Sequence, residues 1–260
     1  MSVDPAAELL TSLPQWGFAA MLLLARLGAA MMVLPGFGEA ETPATIRLGG
    51  ALALVVLLFP LLQPLVPPMP SAPLKVLGML AGELAIGLWF GWLIRLVLLA
   101  LPMAGQVIAG AVGMTNVIQP DAFLGAGSAA LSRMFGLAAP LMLLITGLWG
   151  APLVALSGLY ALLPPGHALP VGDSAQATIQ AVGLSFALAL RLAAPFLLAG
   201  LVYHTALALI GRLVPHLQLH FAAASGQLLG GIMLLGVLAP LLLDVWIGEA
   251  RSVLSSLPGQ

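Results

Sequence analysis

Four charged side chains stand inside or beside long hydrophobic stretches: Arg26, Glu83, Arg95 and Arg191. Each costs about 2.5–3.5 kcal/mol at the centre of a membrane helix, so each must snorkel to an interface, pair, or serve an ion or proton relay. Glu83 and Arg95 are twelve residues apart, about 18 Å along one helix at 1.5 Å per residue. They cannot pair within that helix. Glu83 therefore needs a partner from another segment, and Arg26 and Arg191 are the natural ones.

Other side chains with chemical potential lack company. His216 and His220 share a helical spacing of four, but a metal site needs a third and usually a fourth ligand, and no acidic or sulfur partner is near. His167 and His204 stand alone. Gly36-Phe37-Gly38 and Gly125-Ala126-Gly127 lack the rest of a phosphate-binding fingerprint and its flanking strand. Ser128 and Ser132 have no His/Asp context that would make them nucleophiles. There is no cysteine, which excludes disulfides, thiol catalysis and thiolate metal sites. No enzyme activity and no cofactor are expected.

The elements that carry these residues are membrane helices. Hydrophobic residues make up 61% of the 260-residue chain and charged residues 7%, against about 25% charged in an ordinary soluble domain. The stretches Leu48–Leu74 and Met134–Gly172 contain no charge, and about 20 apolar residues cross a bilayer. The net charge of −1 gives no basic field for nucleic acid. The acidic N-terminal stretch lacks a positive n-region, so no cleavable signal peptide is expected.

Length and Leu/Ala/Met content predict an all-α fold of about six long hydrophobic helices. The first covers about Leu13–Leu34. The second follows Thr42 as N-cap and Pro43 at the first helical position, and runs to about Leu65. The third covers about Leu74–Leu99, is kinked by Pro102 and extends to about Val112. Ala129–Leu163 holds one span plus a broken or re-entrant piece. After a loop over Pro164–Ser174, a last pair runs over Ala175–Ile210 and Leu217–Ile247, with Pro195 and Pro240 as kink points. Small residues recur at four-residue spacing: Gly78/Gly82, Gly87/Gly91, Gly105/Ala109/Gly113 and Gly226/Gly230. Such spacing lets membrane helices approach closely.

One segment breaks the apolar pattern. Gly113–Ser128 reads GMTNVIQPDAFLGAGS, a polar, glycine-rich island. Irregular backbone at membrane depth must be buried in protein or line an aqueous path. The island therefore points to a conduit.

The order of motifs resembles the FliR family of flagellar export-gate proteins and its relatives in virulence type III secretion, over essentially the full length. Arg26, Pro35, Pro43 and Arg47 follow its early pattern. Gly82-Glu83-Leu84, Ile86-Gly87 and Gly91 resemble its third-helix signature. Gly105-Gln106, Gly113-Met114 and Pro120-Asp121 resemble the approach to its central loop, Pro195 a fifth-helix proline, and Gly211-Arg212 with Pro215 its late motif. His216 stands where the family usually has Gln, Ala223 and Ser225 where it often has Gly-x-Pro, and Thr146-Gly147 where Asn-Gly is frequent.

The resemblance implies a pore-forming subunit that assembles with FliP-like and FliQ-like subunits, meets FlhA-like and FlhB-like export components and flagellar rod proteins, and passes unfolded substrates through the bacterial inner membrane at the flagellar basal body. It implies residues 1–174 as a FliP-like part and 175–260 as a FliQ-like helical hairpin. It maps the family's pore plug onto Gly113–Ser128. There Gly113, Gly125 and Gly127 supply backbone freedom, Pro120 stops helix, and Thr115, Asn116, Gln119 and Asp121 supply polar contacts. Met114, Phe123 and Leu124 complete the plug, the last two filling the narrow part. Arg26, Glu83, Arg95, Arg191, Arg212 and Pro215 are the charge and assembly residues. The alternative reading, a small-solute secondary transporter, predicts internal repeats and a midplane site on broken helices, and neither is evident in the sequence.

Overall fold

The computed structural model describes residues 5–39, 41–114, 130–213 and 219–259. These are almost wholly helical, with no strand among them. The helices are α1 (Pro5–Val33), α2 (Ala44–Leu62), α3 (Pro73–Leu98), α4 (Ala100–Ala111), α5 (Ala130–Ile145), α6 (Gly150–Leu162), α7 (Val171–Leu213) and α8 (Leu219–Ser255), and a 3-10 turn at Gln63–Leu65 follows α2. Among the described residues, five stretches are long and apolar enough to cross a membrane: Ser12–Val33, Ala44–Leu65, Pro73–Ala111, Val171–Leu213 and Ala223–Ser255. The broken pair α5 and α6 makes a sixth if it counts as one span.

Several boundaries follow from single residues. Pro102 lacks an N–H and its ring crowds the carbonyl four residues back, at Leu98, where α3 ends. The helix restarts as α4 at Ala100, so the expected kink is a one-residue break. Thr42 does not cap α2. The helix begins one residue later, with extended Pro43 (φ −57°, ψ 142°) in the N-cap position, and the Thr42 hydroxyl donates to the Gly36 carbonyl at 3.2 Å. Gly147, with φ 72°, stands in the break between α5 and α6. α7 starts at Val171, inside the expected loop, and the Ser174 N–H donates to the Pro170 carbonyl at 3.0 Å. It runs unbroken through Pro195, and α8 runs through Pro240 to Ser255.

The chain divides into two compact units: Met1–Leu96, Thr146–Ala181 and Val253–Gln260 in one, Val97–Ile145 and Val182–Ser252 in the other. In the first, Phe18, Ala19 and Leu22 of α1 meet Val66 and Met79, with Phe59, Val76 and Leu80 packed against them. Phe18, Leu22, Arg26 and Ala30 are all buried and recur every four residues, which makes one helical face. In the second unit α4 packs on α5. A Cβ at Gly105 would stand 2.9 Å from the Phe135 ring and 3.0 Å from Ser132 Cα, so only glycine allows this approach. Ser132 Oγ donates to the Pro102 carbonyl at 2.8 Å.

Candidate functional site

The face of α1 that packs against α3 is apolar except at Arg26. Both Arg26 and Glu83 of α3 have fully buried side chains. Arg26 Nε donates to Glu83 Oε2 at 2.6 Å and Arg26 Nη2 to Glu83 Oε1 at 3.1 Å. This two-pronged geometry is the strong form of an arginine–carboxylate pair. A buried pair is tolerated only when the remaining donors and lone pairs are also satisfied. Two further bonds serve it here: Arg26 Nη1 donates to the Leu163 carbonyl at 2.8 Å, and the Gly166 N–H donates to Glu83 Oε1 at 2.8 Å. The pair therefore ties together α1, α3 and the stretch that follows α6.

Tyr160 of α6 completes the centre. Its ring lies 4.1 Å from the Arg26 guanidinium carbon, a cation–π contact in a desolvated place. Its hydroxyl is buried with no hydrogen-bond partner. Gly166 has φ 85°, in the left-handed region that glycine adopts without strain, and this turns its N–H toward Glu83.

Glu83, Gly87, Gly91 and Arg95 form one stripe, since positions four apart share a helix face. The two glycines let α1 touch α3 backbone. A Cβ at Gly87 would run into the Arg26 carbonyl oxygen, and one at Gly91 would stand 2.9 Å from that of Ala30. Arg95 closes the stripe, donating to the Val33 and Gly38 carbonyls at 3.2 and 3.3 Å and to Glu39 Oε2 at 3.2 Å. The partners advance along both helices in the same direction, so α1 and α3 run parallel here. Trp149 Nε1 donates to the Pro35 carbonyl at 3.1 Å beside Phe37, fixing the same corner.

The remaining charges are placed differently. Arg191 bonds to Glu249 at 2.7 Å, with side chains 68% and 42% exposed. Of the two partners expected for Glu83, the structure thus supplies Arg26 and gives Arg191 to α8. Glu39 is three-quarters covered and paired with Arg95. Arg212 is exposed in the last turn of α7. Pro215 lies outside the described residues. So do Thr115, Asn116, Gln119, Pro120, Asp121, Phe123, Leu124, Gly125 and Gly127 of the expected plug. Its first two residues are described: Gly113 has φ 75°, and Met114 is half-buried. Among the described residues no group of three His, Asp or Glu side chains is arranged to hold a metal.

Sequence reasoning did not single out Tyr160, the Leu163 carbonyl, the Gly166 N–H or Gln227. Two of these are backbone groups with no side-chain signal. Tyr160 is one of only two tyrosines, and Gln227 is a lone amide in an apolar helix. Both had a signal in composition. Gln227 Nε2 donates to the Ala111 carbonyl at 2.9 Å, joining α8 to the end of α4.

The family described as bacterial export proteins, family 1, matches residues 18–253. A flagellar biosynthetic protein FliR of Caulobacter vibrioides is 32% identical over 237 residues, covering 91% of this chain and 94% of that protein. A second protein of that name, from Pectobacterium carotovorum, is 29% identical over 223 residues, covering 84% and 82%.

Proposed function

The chain belongs to family 1 of the bacterial export proteins, and on that premise we propose that it is a structural, pore-forming subunit of a flagellar-type export gate. It passes unfolded protein substrates through the inner membrane at the basal body, together with FliP-like and FliQ-like subunits and beside FlhA-like and FlhB-like components. It does so without catalysing a reaction. The observation that carries this reading is the extent of the match, residues 18–253, which reaches from the first membrane-length stretch to the last. The buried centre at Arg26–Glu83 supports it, since such a pair holds helices in register and offers no open site for a solute. Residues 1–174 form the FliP-like part of this proposal and 175–260 the FliQ-like hairpin.

The segment Gly113–Ser128 is the plug of the closed pore in this reading. Removing residues 113–127 from the chain in its complex is expected to raise small-solute leak across the membrane while the complex still assembles. An assembled complex with unchanged leak would remove the plug. Detergent extraction tests the subunit role directly: the tagged chain is expected to bring down FliP-like and FliQ-like proteins as one stable complex. A well-folded chain recovered alone from cells that make all three would count against it.

A further inference from the structure

We propose that the α7–α8 hairpin holds the last turn of α4 in a releasable latch, with Gln227 as its positioning residue. This rests on the export-gate reading, because what the latch controls is the open and closed states of that gate. The last four carbonyls of a helix have no donor within it, and Ala111 ends α4. Gln227 Nε2 supplies the missing donor at 2.9 Å. Its amide and the Ser225 hydroxyl are the two polar side-chain groups on α8 between residues 221 and 243, a stretch without charge.

The backbones around this bond meet through glycine. A Cβ at Gly200 of α7 would stand 3.1 Å from the same Ala111 carbonyl oxygen, and one at Gly231 of α8 would collide with the Val112 side chain. Gly113, in its left-handed conformation, lies over the Gln227 amide, 3.2 Å from its carbon to an added Cβ. The Tyr203 hydroxyl donates to the Ala223 carbonyl and ties α7 to α8 beside the seat. The seat is not a filled core. A recess of about 290 Å³ adjoins it, walled by Phe196, Tyr203, Gln227 and Leu234 among others. One neutral hydrogen bond and a few backbone contacts are enough to place the end of α4 but few enough to be undone. The neighbouring recess leaves room for that movement.

The chain has no cysteine of its own, so an engineered pair gives a single disulfide. Ala111 Cβ and an added Cβ at Gly200 are 3.8 Å apart, the mean for a disulfide. In the full export complex in membranes, A111C/G200C is expected to cross-link on oxidation, to stop secretion when cross-linked and to restore it on reduction with dithiothreitol. Gln227→Leu alone is expected to raise small-solute leak of the assembled complex about fivefold, one neutral hydrogen bond's worth, because it multiplies the minor released population. Secretion by the cross-linked complex at the rate of the reduced one overturns the latch, as does a leak indifferent to Gln227→Leu. The export reading fails separately: a reduced complex that secretes nothing, in cells where the parent chain also secretes nothing, sinks that reading, while the cross-link still reports on the seat.

Discussion

At Arg26 and Glu83 the decisive fact is that neither side chain can reach water. Removing one partner of a buried pair strands the other charge, which costs about 3–5 kcal/mol. Glu83→Gln is therefore expected to lower the thermal stability of the purified complex, or its yield, far more than Glu39→Gln, whose pair with Arg95 is a quarter exposed and worth about 1 kcal/mol or less. Equal, small effects would mean that Glu83 is not buried in the assembled protein. Replacing both partners, R26M/E83M, is expected to recover much of the loss, because an apolar pair leaves no orphan charge. Tyr160→Phe separates ring from hydroxyl: the ring keeps its contact with Arg26, and the lost hydroxyl has no partner. Melting should be unchanged or raised slightly, whereas Tyr160→Leu should lower it. At this scale the sequence was half legible. A lone Glu in a membrane helix demands a cation, and the candidates were few. That the same carboxylate also takes the Gly166 N–H follows from the path of the chain after α6, which no side-chain type announces.

At the scale of elements, prolines and glycines set most of the ends, and these were readable because their restrictions are local. Pro102 marks the α3–α4 break and Gly147 the α5–α6 break. The start of α2 was read one residue early, because Arg47 engages the Glu39 and Thr42 carbonyls and Thr42 turns to Gly36, a competition among neighbours that spacing does not reveal. Helix ends beyond the apolar stretches were also underestimated: residues 171–174 and 248–255, with Asp173, Ser174, Glu249 and Arg251 among them, continue α7 and α8 because their backbone bonds do. Two glycine replacements separate conformation from packing. Gly147 has positive φ and no atom within 4 Å of an added Cβ, so Gly147→Ala should destabilise by about 1 kcal/mol through the backbone alone. Gly78 is helical and equally unobstructed, so Gly78→Ala should stabilise by up to about 1 kcal/mol. Denaturant melts of the two single variants in one detergent check both signs.

Across the whole molecule the helices differ sharply in how much protein covers them. The best membrane-length window of α8 is 11% buried and that of α2 17%, against 61% for α1 and for α3 with α4. The exposed faces need lipid or other subunits, and this was legible as uniform hydrophobicity but not as a pattern, since an apolar face looks alike whatever covers it. With no native thiol, a single cysteine at Val237, 76% exposed, reports the difference. It should react readily with a maleimide in the detergent-solubilised chain alone and be protected in the assembled complex, while Leu242→Cys, at a site 5% exposed, stays protected in both. Equal reactivity of Val237→Cys in both would leave α8 facing lipid. The buried pair has one more consequence, in time. Arg26 and Glu83 are 57 residues apart, and at about 5–20 residues per second of synthesis the arginine waits several seconds for its carboxylate. During that wait α1 carries an uncompensated charge worth about 2.5–3.5 kcal/mol against insertion. α1 and α3 are thus expected to commit to the bilayer together. Nascent chains arrested before Glu83 emerges should leave the membrane on alkaline extraction, and those arrested after α3 emerges should stay.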